Sequence, residues 1–150
     1  MPQVDSARYA IEGGSQGGAL TLVGAALDAR VKAIAVTHPA MADQLAYRAG
    51  RAGGWPHIFE DTSRLALMPQ VTRTIEYYDA VNFARRVRVP GYYTWGFNDL
   101  TTPPTSMHAL YNQVTAPKEL VIVKEVGHVR TPAQARAIRE WLLRQLGAGN

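Results

Sequence analysis

The segment EGGSQGGAL (12–20) constrains this 150-residue chain more than any other stretch. Gly13-Gly14-Ser15-Gln16-Gly17 fits the pattern G-x-S-x-G. In that pattern a strand feeds a tight turn that feeds a helix, and the serine at the turn is held in strained geometry, so its neighbours must be small. The flanks agree. RYAIE (8–12) reads as a strand, and Ala19, Leu20, Leu22, Val23, Ala26 and Leu27 give an apolar helix from Gln16 to about Leu27. The N–H after the serine then points at an oxyanion forming beside it, and the helix N-terminus adds positive potential. Glycine-rich turns also bind phosphate. A Walker loop needs G-K-[ST], however, and a dinucleotide loop needs G-x-G-x-x-G; Gly13, Gly14, Gly17 and Gly18 give neither.

Beyond the turn, strands and helices alternate, which predicts an α/β fold with a parallel sheet. VKAIAV (31–36) is a second strand, ended by His38-Pro39. Residues 41–68 read as an insertion over the sheet, with a helix over 41–48 and a loop, GRAGGWP (50–56), anchored by Trp55. Pro69 opens a helix to about Tyr78 with Val71, Ile75 and Tyr78 on one face. A short helix follows over 80–86. VPGYYTWG (89–96) is a third strand and Leu120–Val123 a fourth. Thr102-Pro103 reads as the N-cap and first residue of a helix carrying Met107, Leu110 and Tyr111. Thr131, Pro132 and Gln134 form a capping box for the last helix, whose expected buried stripe is Ala135, Ile138, Leu142 and Leu146.

Composition narrows the function classes. The chain is 47% hydrophobic and 19% charged, a globular balance, and it has no cysteine for disulfides or thiolate sites. Its net charge of +4 comes from scattered arginines, densest at Arg85-Arg86-Arg88, so a nucleic-acid partner is not expected. No apolar run reaches membrane-spanning length. MPQVDSARYA lacks the basic and apolar blocks of a secretory signal, so localisation stays open: cytoplasmic by default, secreted if a leader precedes Met1. No cofactor is implied. No metal is expected either, because the histidines lie far apart and no carboxylate-rich cluster accompanies them.

A nucleophilic serine needs a general base, and the base needs an orienting acid. In hydrolases with this turn the chain order is Ser, then Asp or Glu, then His. His128 follows the fourth strand in VKEVGH, and Asp99 follows the third in WGFND. Both fall at the carboxyl edge of the sheet, where open α/β folds bind ligands. His57 lies in the insertion and His108 within a helix, which favours surface or packing roles. Asp79 reads as a helix cap and Asp28 as a helix-end charge.

GGSQGGAL, YYDAVNFARRVRVP (77–90), GFNDLTTPPT (96–105), HALYN (108–112) and VGH (126–128) together resemble the acetyl xylan esterase / cephalosporin C deacetylase family, over nearly the whole chain. The resemblance implies an α/β-hydrolase that removes acetyl groups from sugars and small esters through an acyl-enzyme. It assigns Ser15 as nucleophile, Asp99 as acid, His128 as base and the Gln16 N–H as one oxyanion donor. His38 and Trp95 are expected at the substrate pocket and depart from the family's usual shapes there. It also implies a partial α/β-hydrolase domain over 1–150, truncated at the N-terminus so that only the strands from the elbow onward are present. The early strands and the loop bearing the second oxyanion donor are then missing, and the strand around Tyr9 is an exposed edge. Members often assemble as homo-oligomers. Two other readings remain: a truncated, non-catalytic fragment, and a hydrolase of the same fold acting on peptides or lactones.

Overall fold

A computed structural model describes residues 5–147. Four strands, β1 (Tyr9–Gly14), β2 (Val31–Thr37), β3 (Gly91–Gly96) and β4 (Lys118–Val123), pair in parallel in the order β1-β2-β3-β4. Among the described residues β1 and β4 are the outer strands. The helices are α1 (Gln16–Leu27), α2 (Ser63–Leu67), α3 (Pro69–Tyr78), α4 (Ala80–Ala84), α5 (Pro104–Gln113) and α6 (Pro132–Gln145).

Side-chain alternation along the strands divides the interior into two layers. On one face Ile34 and Val36 of β2 and Tyr93 and Trp95 of β3 pack with Leu22 of α1, Ala84 of α4 and Met107 and Leu110 of α5. On the other, Ala33, Ala35 and Tyr92 receive Ile138 and Trp141 of α6. Covering both faces buries β2 almost completely, which is why VKAIAV reads as a continuous apolar run. Each large side chain buried here contributes roughly 1.5–3 kcal/mol.

The insertion differs from its expected form. Only a 3-10 turn, Ala46–Ala49, is helical between β2 and α2. Met41 and Asp43 adopt φ of 52° and 51°, which breaks any α-helix across them. Trp55 is 39% exposed and is not the anchor; Phe59 is fully buried instead. Asp79 pins this segment. Its carboxylate caps α4 at the Val81 N–H (2.9 Å) and accepts the N–H groups of Asp43 (3.0 Å) and Gln44 (2.9 Å). Burial pushes the Asp79 carboxyl up from its ordinary value, against these three donors.

Two helix faces are also rotated from expectation, and a third helix starts later than expected. α3 buries Thr72 and Ile75 and leaves Tyr78 exposed. α6 buries Gln134, Ile138 and Trp141. Its capping box at Thr131 and Gln134 forms, and the Gln134 amide also donates to the Thr94 hydroxyl of β3 at 2.8 Å. α5 begins at Pro104 with Pro103 as its N-cap, because the Thr102 side chain bonds elsewhere. No described helix is long and apolar enough to cross a membrane.

Candidate active site

All four strands are parallel, so their carboxyl ends share one edge of the sheet. Ser15 follows β1, His38 follows β2, Asp99 lies three residues past β3 and His128 lies beyond β4. Main-chain bonds extend the sheet past the strand ends and fix these loops. The Ser15 N–H donates to the Thr37 carbonyl (2.9 Å), the His38 N–H to that of Thr94 (3.0 Å) and the Phe97 N–H to that of Val123 (2.9 Å).

Ser15 has φ 55° and ψ −122°, a conformation that costs an L-residue about 1–3 kcal/mol. Its surroundings over-determine it. Its N–H donates to Thr37, and its carbonyl accepts the N–H groups of Gly18 (3.0 Å), Ala19 (3.2 Å) and Ala40 (3.0 Å). Gln16 is the first residue of α1, so its N–H has no intrahelical acceptor. A Cβ on Gly96 would lie 2.2 Å from the Val126 carbonyl oxygen, so glycine lets the loop before His128 close onto the end of β3.

Here the structure brings Ser15, His128 and Asp99 into one hydrogen-bonded chain. His128 Nε2 is 2.9 Å from Ser15 Oγ, and His128 Nδ1 is 2.8 Å from Asp99 Oδ2. Asp99 is 1% exposed and fully supplied with donors. Its Oδ1 accepts the N–H groups of Thr101 (2.9 Å) and Thr102 (2.8 Å), and its Oδ2 accepts the Thr102 hydroxyl (2.9 Å) as well as His128. A carboxylate held this way fixes the imidazole tautomer with hydrogen on Nδ1. Nε2 is then free to accept the proton of the Ser15 hydroxyl. Arg130, two residues past His128, pairs with Glu12 at the end of β1, which ties the histidine loop to the strand that carries Ser15.

The Thr101 and Thr102 contacts add to the residues expected at the site. Asp99 followed by Thr101 and Thr102 is an Asx-turn pattern, in which the Asp side chain accepts backbone N–H groups two and three residues on. The Glu12–Arg130 pair carries no comparable local signal.

Two expectations are corrected. Trp95, expected at the pocket, is fully buried; its indole packs edge-on against His108 (centroids 5.1 Å apart) and lies near Tyr111 in the helical layer. His38 is 4% exposed and does not stand in an open pocket. Its ring lies 5.1 Å from that of His128, and its Nδ1 is 3.8 Å from Asp99 Oδ2. Burial pushes the His38 imidazole down to about 4, with nearby His128 adding to the effect and Asp99 opposing it. The ground for excluding a metal also fails: His38, Asp99 and His128 are distant in sequence, yet their ligating atoms lie within 4.8 Å of one another.

His57 and His108 stay away from this cluster. His57 Nδ1 pairs with the Tyr47 hydroxyl at 2.9 Å, and His108 packs on Trp95. Asp28 ends α1 and binds Arg30 and the Tyr9 hydroxyl. Beside Asp99 opens a cleft of about 710 Å³. Its walls include Tyr47, His57 and Glu60 from the insertion and Phe97, Leu100 and Pro103 from the Asp99 loop.

Comparison with known proteins agrees with this architecture. Acetyl esterase Axe7A of Xylanibacter ruminicola is 44% identical over 148 residues, covering 97% of this chain and 33% of that protein. The acetyl xylan esterase from Paenibacillus sp. R4 superposes with a TM-score of 0.83 at 30% identity, over 96% of this chain and 47% of its own. Acetyl xylan esterase 1 from Thermoanaerobacterium sp. JW/SL YS485 gives 0.75 at 26%, over 97% and 48%. The chain thus spans a third to a half of the length of these relatives, and its sheet has the α/β-hydrolase fold. Residues 1–145 match the acetyl xylan esterase (AXE1) family model, and the chain belongs to that family.

Proposed function

We propose that this chain is a serine carboxylesterase that removes acetyl groups from acetylated sugars. The observation that carries the reading is the unbroken chain from Ser15 Oγ through His128 to Asp99, 2.9 Å and 2.8 Å long at its two links. Ser15 Oγ attacks the ester carbonyl while His128 Nε2 takes its proton. The carbonyl electrons move onto oxygen, and the Gln16 N–H at the head of α1 donates a hydrogen bond to that oxyanion. Collapse of this tetrahedral species breaks the bond to the sugar oxygen, and the imidazolium returns the proton to it. Asp99 stabilises the imidazolium throughout. Water, deprotonated by the same nitrogen, then attacks the acetyl-serine, releases acetate and restores Ser15.

The cleft beside Asp99 is the place assigned to the sugar. It combines an aromatic wall, Phe97, with hydrogen-bonding groups on Tyr47, His57 and Glu60. Comparing initial rates on acetylated xylo-oligosaccharides, on an aminoacyl anilide and on a small lactone tests the assignment. Acetate release from the oligosaccharides should exceed turnover of the other two by at least about tenfold. Faster cleavage of the anilide or the lactone would overturn the deacetylase reading.

A further inference from the structure

His38 is unexplained by the esterase reading. Both of its ring nitrogens are buried without a hydrogen-bond partner among the described residues. Burying an unpaired polar group costs about 1–3 kcal/mol, and a leucine or phenylalanine could fill the space without that cost. The ring stands 3.8 Å from Asp99 Oδ2, which is itself 2.8 Å from His128 Nδ1. Two imidazoles and a carboxylate oxygen thus converge from three different strand ends.

We propose that His38, Asp99 and His128 form a zinc-binding site, and that the bound ion switches the serine site off. Two imidazole nitrogens and one carboxylate oxygen are ligands suited to Zn2+, with a fourth position left to water. Zinc bonds of about 2.0–2.2 Å in tetrahedral geometry place neighbouring ligand atoms roughly 3.3–3.5 Å apart. The separations from Asp99 Oδ2, 2.8 Å to His128 and 3.8 Å to His38, bracket that spacing; the three ligating atoms together lie within 4.8 Å of one another, and rotation about the side-chain torsions has to draw the two imidazoles inward. Of the three ligands only His128 meets solvent, its side chain 26% exposed against 5% for His38 and 0% for Asp99, so entry would be on its side.

The switch follows from the tautomer and rests on the esterase reading. With zinc on Nδ1, the neutral His128 ring carries its hydrogen on Nε2. The proton leaves Nδ1 for solvent and one returns to Nε2, so the balance is neutral. Nε2–H then faces Ser15 Oγ as a donor and cannot accept its proton.

Calorimetric titration of the full chain with ZnCl2 in metal-free buffer reads the site without reference to hydrolysis. One ion per chain is expected. His38→Phe should weaken binding roughly 100-fold, at or beyond the upper end of the 10–100-fold range for outer-shell partners. His128→Ala removes a second ligand and serves if His38→Phe does not fold. Ser15→Ala, which keeps all three ligands, should bind zinc undiminished, as should His57→Asn. Mg2+ should not bind. Zinc affinity unchanged in both ligand variants, or lost in His57→Asn, would overturn the site. Zinc should also suppress p-nitrophenyl acetate hydrolysis over the concentration range of binding, and EDTA should restore it. Hydrolysis unaffected at saturating zinc would overturn the switch. A zinc-free chain with no activity overturns the esterase reading, while calorimetry still decides the site.

Discussion

Asp99→Asn should lower kcat for acetyl ester hydrolysis by about 10⁴-fold with little change in KM, the scale of loss when the acid of a Ser-His-Asp site becomes an amide. The cause is local. The Thr101 and Thr102 N–H groups require an acceptor, so the asparagine carbonyl would take the place of Oδ1. Its NH2 group then falls where Oδ2 meets His128 Nδ1 and the Thr102 hydroxyl. The hydroxyl can rotate and accept. The imidazole has to shift its hydrogen to Nε2, where it faces Ser15 as a donor. Steady-state kinetics, with circular dichroism to confirm the fold, measures this. A loss below tenfold would mean that Asp99 does not set the tautomer.

Gly13→Ala should produce the largest loss of stability of any substitution at the glycine-rich turn. A Cβ there would lie 2.2 Å from the Gly17 carbonyl oxygen, 2.4 Å from its carbon and 2.6 Å from Thr21 Oγ1. The first two atoms are backbone in the first turn of α1, and moving them drags Ser15 out of its strained geometry. The cost exceeds about 3 kcal/mol, within the overpacking and backbone-strain classes. For a chain of this size that lowers Tm by roughly 10 °C. Gly17→Ala is the control. Its Cβ would meet nothing within 4 Å, and alanine favours the helix, so its Tm should hold or rise. Equal Tm losses in the two variants would show that the turn is not packed as described.

The turn was legible because its signals are local: a strand, small residues and an apolar helix within a short stretch. The positions of Asp99 and His128 were legible because each follows its own strand, and parallel strands bring their carboxyl ends together. Direction within a strand was harder. Trp95 and Tyr92 lie on opposite faces of β3, and the sequence does not say which face meets the site, so Trp95 was placed in the pocket rather than among α5 side chains. Thr102 before Pro103 reads as a helix cap, but the Asp99 carboxylate three residues earlier accepts its N–H and hydroxyl, so the helix starts at Pro104. The closeness of His38 to Asp99 and His128 is not legible, because separation along the chain says little about residues at adjacent strand ends. A helix over 41–48 fails because Met41 and Asp43 take left-handed backbone, which aspartate tolerates but which nothing in the local sequence requires.

The measurement to make first is p-nitrophenyl acetate hydrolysis by the 150-residue chain beside Ser15→Ala, at matched monodisperse concentrations, with intact-mass detection of the protein. Hydrolysis should disappear with the Ser15 hydroxyl, and the unsubstituted chain alone should carry one transient acetyl group. Equal rates in the two proteins, with no acetyl group on either, would contradict a nucleophilic role for Ser15.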